Sequence, residues 1–315
     1  MKNLLRYFLC VISSLIMLPA LAASGLPQPT QVSTHAWAWI GPYEAPSKAN
    51  RGFRMNLGFV VGKDAVAVID SGYTPAMAEQ MLAQIRRITK LPVRYVINTN
   101  SQPHRFMGND VFKKAGAEVI AARDAAERMD NEGLQLAATV TNTLELKQGS
   151  VVAPAAPNRL IDPGPSTQLN LGGDITLTVT HFGQAHTRGS LVVEVAPDQT
   201  VFAGDILYSG RLLAVLPDSS VSGWIAAYEK LRYLNAKRFV PGHGAVAALS
   251  EFELPTYDYL TALKAHMDQA VKDGVDASTA SASFDNSKWK HLANFSELAG
   301  RNASLTYLEC EAAGF

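Results

Sequence analysis

Apolar residues along this chain fall into two patterns, short unbroken runs and stripes at helical spacing. The runs "LGFVVG" and "AVAVIDSG", joined by Lys63 and Asp64, predict a hairpin whose second strand is buried on both faces. Thr74 followed by Pro75 then marks a helix start. Met77, Met81, Ile85 and Ile88 recur at spacings of four, four and three, so the spacing predicts one helix from Pro75 to about Thr89 with its apolar stripe on a sheet. "VRYVI" is the next strand. A short helix over 108–115, the strand "AEVIAA" and a helix over 122–136 continue the alternation. The stretch 140–165, rich in Pro, Ser, Asn and Gly, predicts sheet edge plus loop and is a candidate lid.

A second half follows. "DITLTVTHF", "SLVVEV" and "TVFAG" predict paired strands, then a helix over 221–234 and a last short strand in "RFVPGHG". Tyr257, Leu260, Leu263, Met267 and Val271 place an apolar stripe on a helix over 257–272, and the small, polar tail beyond it is expected to wrap the body. Two sets of strands with helices outside each set predict an α/β fold of four layers, αββα, with the sheets face to face. A single doubly wound sheet is the alternative, disfavoured by the hairpin start and by the meander-like region over 174–203. "HAWAWIGPYE" alternates Trp37 and Trp39 with small residues, which fits one face of an edge strand.

The N-terminus changes the picture of where the chain works. Lys2 and Arg6 precede an apolar run from Phe8 to Leu18, and Ala20 and Ala22 stand at the spacing a signal peptidase reads. This predicts a signal peptide over 1–22 and a single exported domain over 23–315 with a C-terminal helical extension and no membrane anchor. Of the 28 basic and 28 acidic residues, the leader removes two bases, leaving a mature charge near −2. Such a balance gives no pull toward nucleic acid. Cys10 lies in the leader, so Cys310 stands alone and the fold has no internal disulfide.

Candidate chemistry gathers at predicted strand ends, where α/β bodies place ligands. Asp70 follows "AVAVI", His104 follows "VRYVI", His186 follows "THFGQA", Asp205 follows "TVFAG" and His243 follows "RFV". Imidazole and carboxylate together suit a borderline divalent ion, zinc first. A histidine in a glycine-rich loop is also commonly a hydrogen-bonded structural residue, and no HxxxH or HxH spacing supports any one of these.

The landmarks "VAVIDSG", "NTNSQPHRFMGN", "HFGQAHTRGSLVV", "VFAGD" and "FVPGHG", in this order, resemble the metallo-β-lactamase superfamily of αββα hydrolases. "GDILYSGRLLAVLPDSSVSGWIAAYEKL" and "RNASLTYLE" resemble its periplasmic SoxH-like branch, the quinoprotein relay system zinc metallohydrolases. That resemblance implies a periplasmic location and a link to dehydrogenases that use pyrroloquinoline quinone (PQQ). The family's HxHxDH positions fall on Asn100, Gln102, His104 and Arg105, and all four depart from the pattern. His186, Asp205 and His243 match the remaining metal positions, and Asp70 matches a buried aspartate that is ordinarily not a ligand.

Neutral amides are poor zinc ligands and arginine is none. A two-metal centre is therefore not expected, and the cofactor expectation is either no metal or one zinc ion. Two readings stay open. In one, Asp70, Asn100, Gln102, Arg105 and His186 line a cleft that binds a small carboxylate-bearing or carbonyl-bearing molecule, in an accessory protein of quinoprotein-linked oxidation. In the other, a single zinc on His104, Asp205 and His243, with His186 as a possible fourth ligand, supports hydrolysis.

Overall fold

The computed structural model describes residues 25–314. The leader expected over 1–22 lies outside the described residues. One sheet holds β1 (Thr30–Gln31), β2 (Ala36–Trp39), β3 (Leu57–Val61), β4 (Val66–Ile69), β5 (Val93–Ile97), β6 (Glu118–Ala122) and β7 (Arg159–Ile161), in that spatial order. The other holds β8 (Thr167–Asn170), β9 (Thr176–Gly183), β10 (Ser190–Val195), β11 (Thr200–Tyr208) and β12 (Arg238–His243), with β12 and β8 at its edges. Strands β1 to β4 run antiparallel, whereas β4 to β7 run parallel. Parallel neighbours need long crossovers, and the helices α1 (Pro75–Ile88), α2 (Pro103–Phe106), α3 (Asn109–Lys114) and α4 (Arg123–Thr143) lie in them. The helices α5 (Val221–Leu231), α6 (Tyr259–Lys272), α7 (Ala277–Ser283) and α8 (Phe295–Ala313) belong to the second half.

Alternation along the second sheet explains the layering. Leu191, Val193 and Val195 of β10 join the core that includes Phe59, Val66 and Val68 of the first sheet, while Val192, Val201 and Phe239 pack with Trp224, Leu260 and Met267 of the outer helices. The two sheets face each other across the first of these cores, as the αββα reading expects, and the single-sheet alternative falls away. Their approach is close. A Cβ on Gly58 of β3 would overlap the ring of Phe202 of β11, so the smallest residue stands where the sheets meet.

Helix α1 starts as expected. The Thr74 side chain accepts from the Met77 N–H, and Pro75 occupies the first turn. Met77, Met81 and Ile85 are buried, but Ile88 is 41% exposed, because the helix ends there and its last turn leaves the sheet. Helix α4 runs to Thr143, past the expected end near 136, and β7 then pairs with β6 at the sheet edge. Part of the candidate lid segment is tied to the first half of the fold: Asp110 of α3 accepts from Ala155 N–H, the Lys113 ammonium donates to the Ala155 carbonyl, and Asn158 accepts from Val119 N–H. The tail expected to wrap the body does so as a helix, α8, whose Glu309 carboxylate accepts from the Val221 and Ser222 N–H groups at the start of α5. Among the described residues no helix is long and apolar enough to cross a membrane.

Asn56, at the start of β3, ties the two sheets at the end where the candidate residues gather. Its side chain donates to the Pro241 and Gly244 carbonyls and accepts from Gly41 N–H, while its own N–H donates to the Gly242 carbonyl. Asn56→Ala would strand three buried backbone groups. We predict a loss of roughly 2–4 kcal/mol of unfolding free energy, from the desolvation of those groups. Urea denaturation checks it; an unchanged midpoint would contradict the clamp.

Candidate metal centre

The loop that leaves β5 is built by amides. Asn98 and Asn109 exchange side-chain hydrogen bonds at 3.0 and 2.8 Å, Asn98 also donates to the Arg105 carbonyl, and Ser71 N–H donates to the same carbonyl at 2.8 Å. These bonds hold the single turn of α2, so His104 and Arg105 leave the backbone in fixed directions. Pro103 begins that turn, where its missing N–H costs nothing. A second approach is set by glycine: a Cβ on Gly242 would overlap both the Asp205 carboxylate and the Arg105 guanidinium.

Arg105 is the centre of the arrangement. Its Nε and Nη2 donate to Asp205 Oδ2 and Oδ1 at 3.0 and 2.5 Å, a bidentate pair. Nη1 donates to the Asn56 carbonyl and to Asp70 Oδ2 at 2.7 and 3.1 Å, and Nη2 also reaches the Gly242 carbonyl at 3.2 Å. All five N–H groups are thereby used. Asn100 adds a bond to Asp205 Oδ2 at 2.8 Å, and Asp70 accepts from the Thr99 N–H and hydroxyl at its other oxygen.

His104, Asp205 and His243 each offer a ligand atom within 4.8 Å of the others. His104 Nε2 is buried with no hydrogen-bond partner among the described residues, and it lies 3.4 Å from Asp205 Oδ2. His243 Nδ1 faces the Arg54 carbonyl at 2.9 Å; a carbonyl only accepts, so Nδ1 carries the proton and Nε2 keeps its lone pair, 3.5 Å from Asp205 Oδ1. These three donors suit one zinc-like ion with an open fourth position. A second ion does not fit. Asn100 spends its amide N–H on Asp205, Oδ2 of that carboxylate already receives two donors, and Arg105 stands beside it with a fixed charge.

Protonation states follow from burial. Burial pushes Asp205 up, but the Arg105 guanidinium and then His104 outweigh it and hold the carboxyl well below the usual range. Asp70 has only one Arg105 nitrogen and feels Asp205 nearby; burial dominates and lifts it to about 6. Burial lowers His104 and His186 to about 4 and His243 well below its usual value, with Arg105 pressing in the same direction. All three imidazoles are neutral at pH 7, the form that ligates metal.

The sequence-predicted residues therefore divide. His104, Asp205 and His243 converge. His186 lies outside that cluster, edge-on to Trp224 at 5.2 Å and tilted against Tyr208 at 5.9 Å. Asp70 and Arg105 are buried to 1% exposure and bonded to the protein, so they brace the site and do not line an open cleft. Asn100 is buried on Asp205, and Gln102, the residue before α2, is half-buried. Sequence reasoning missed Arg54 and Tyr73, which come from loops with no periodic pattern.

A linkage consequence follows. A histidine whose folded pKa is depressed contributes stability that is present above its unfolded value near 6.5 and lost as pH falls toward about 4. Asp70, raised to about 6, acts oppositely and gains stability as pH falls through that value. Three histidines outweigh one aspartate. We predict that the melting temperature of chelator-treated protein falls between pH 7.5 and 5, and that His186→Gln makes the fall shallower. A flat or rising profile would contradict the assignment.

Comparison with known proteins bears on the same residues. A family profile described as the metallo-beta-lactamase superfamily matches residues 51–243, from the loop before β3 to the last cluster histidine. The acyl-coenzyme A thioesterase MBLAC2 of Gallus gallus is 33% identical over 96 residues, covering 29% of this chain and 33% of that protein. The 2,4-dinitroanisole O-demethylase subunit alpha of Nocardioides sp. (strain JS1661) is 25% identical over 222 residues, covering 69% of this chain and 60% of that protein. The chain thus spans about a third of the length of the first of these relatives. Among solved structures, a metallo-beta-lactamase from Pontibacter korlensis superposes with a TM-score of 0.60 at 20% identity over 74% of this chain and 98% of that one. One from Hirschia baltica gives 0.58 at 18% identity, over 74% and 96%. The two sheets, the strand-end cluster and a profile covering more than half of the sequence lead to one conclusion: the chain belongs to the metallo-beta-lactamase superfamily.

Proposed function

We propose that this protein is a non-classical member of its family, a small-molecule-binding or accessory protein whose centre is organised by an internal guanidinium in place of a two-metal cluster. One observation carries the reading: both oxygens of Asp205 are taken by Arg105 in a bidentate pair, inside a site where Arg105 has no donor left over. A carboxylate so engaged cannot bridge two ions. The segments resembling the SoxH-like branch support a role beside PQQ-dependent dehydrogenases, and the leader-like N-terminus supports a periplasmic location. The ligand in this reading is a small molecule with a carboxylate or carbonyl group.

A second reading is favoured by the cluster itself. His104 Nε2, His243 Nε2 and the remaining lone pair of Asp205 Oδ1 would hold one zinc ion, and the thioesterase relative is a hydrolase by name. When bound, zinc supplies Lewis acidity and lowers the pKa of a coordinated water. The chain's own contribution would be Arg105, which keeps Asp205 ionised, and the neutral His186, whose ring packs against Tyr208 outside the cluster.

Metal analysis after dialysis, with turnover of thioester, lactone and β-lactam substrates in the presence and absence of zinc or manganese, separates the two. We expect at most a single bound zinc and turnover rates that do not distinguish wild type from His243→Ala. Zinc-dependent turnover abolished by His243→Ala and Asp205→Asn would establish the second reading and remove the first.

A further inference from the structure

Two guanidiniums beside the imidazoles are not used by the Arg105 network. Arg211 follows β11 and is fixed by a backbone ladder: Leu212 N–H donates to the Ala293 carbonyl and Ala293 N–H to the Gly210 carbonyl. The residue is only 3% exposed, and its guanidinium carbon sits 6.0 Å from the centre of the Tyr208 ring. Its Nε has no hydrogen-bond partner among the described residues. Arg54 is half-buried, its carbonyl orients His243, and its Nε is likewise without a partner among the described residues. The Tyr208 ring meanwhile stacks 4.9 Å from His243. Arg211 and His243 therefore meet at one phenol ring, and Arg54 joins them through the carbonyl that holds His243.

Charge and donor accounting point the same way. Arg105 against Asp70 and Asp205 leaves one negative charge, and Arg54 with Arg211 turns that into one positive charge. A buried guanidinium nitrogen without an acceptor is costly to leave unmet. A planar monoanion with two acceptor oxygens satisfies both requirements, which a neutral carbonyl does not.

We infer that Arg54 and Arg211 form an anion subsite beside Tyr208 that receives the carboxylate of a small monocarboxylate ligand. The inference rests on the reading of the centre as a small-molecule site, and it moves the anion contact from Arg105, whose donors are used, to these two residues. Trp224, 5.9 Å from Tyr208, reports on occupancy through its fluorescence.

The test titrates dialysed full-length protein with benzoate and with benzamide, which has the same shape without the charge, by calorimetry and tryptophan fluorescence. Benzoate should bind at least about tenfold more tightly than benzamide, the factor expected of a charge-assisted pair. Arg54→Gln and Arg211→Gln should each weaken benzoate by about tenfold or more and leave benzamide unchanged, while Arg188→Gln, an exposed residue paired with Asp218, should change neither. Should Arg211→Gln fail to fold by circular dichroism, the half-buried Arg54→Gln decides alone. Equal affinity for the two probes would sink the subsite and leave the small-molecule reading standing. Benzoate affinity insensitive to Arg54→Gln, or no binding of either probe at millimolar concentration, would overturn it as well. Zinc-dependent turnover together with Arg54-dependent benzoate binding would instead keep the subsite and remove the accessory-protein reading.

Discussion

One buried side chain, Arg105, decides what the rest of this centre can be. Its five N–H groups join Asp205 within β11, Asp70 at the end of β4, and the carbonyls of Asn56 and Gly242, so a single guanidinium ties together β3, β4, β11 and β12 from both sheets. Breaking such a pair by truncating one partner typically costs about 3–5 kcal/mol, because the other charge stays buried. The same charge opposes metal. Two like unit charges roughly 4 Å apart repel by about 4 kcal/mol at an effective dielectric of about 20, and a dication doubles that. Asp205 and Asp70 supply two negative charges between them, and Arg105 already neutralises one.

The scaffold makes this possible by removing side chains where the network needs room. Gly242 has no Cβ to collide with the ion pair, and Gly204, in a left-handed conformation at φ 52°, lets Thr99 reach the Asp70 carboxylate beside it. Asn56 serves twice, its side chain clamping the β12 turn and its carbonyl receiving Arg105. Sheet packing, turn geometry and electrostatics thus converge on the same few atoms. The surviving triad of His104, Asp205 and His243 is what remains for a single ion, and the unmet nitrogens of Arg54 and Arg211 are what remains for an organic ligand.

Much of the fold was legible because its signals are local. The Thr74–Pro75 start and the Met77, Met81, Ile85 stripe describe α1 without help from the rest of the chain. The bounds of helix α8 within the expected C-terminal extension were not legible, since its buried face includes Asn302 and Thr306: the Asn302 amide bonds Val215 N–H, the Leu213 carbonyl and the Tyr259 hydroxyl, a polar contact that hydrophobic periodicity does not register. At the site, residue types revealed which groups could ligate but not how many acceptors Arg105 would find. Those acceptors are largely backbone carbonyls and carboxylates distant in sequence, and only the folded chain counts them. His186 illustrates the same limit, since its loop resembles a ligand loop while its ring is directed against Trp224 and Tyr208.

The central claim concerns where positive charge resides, and diffraction can locate it. Crystals grown or soaked in excess zinc and measured at the zinc absorption edge should show at most one anomalous peak, between His104, Asp205 and His243, with the Arg105 guanidinium still paired to both oxygens of Asp205. Two peaks flanking Asp205, with Arg105 swung out of the site, would contradict the account.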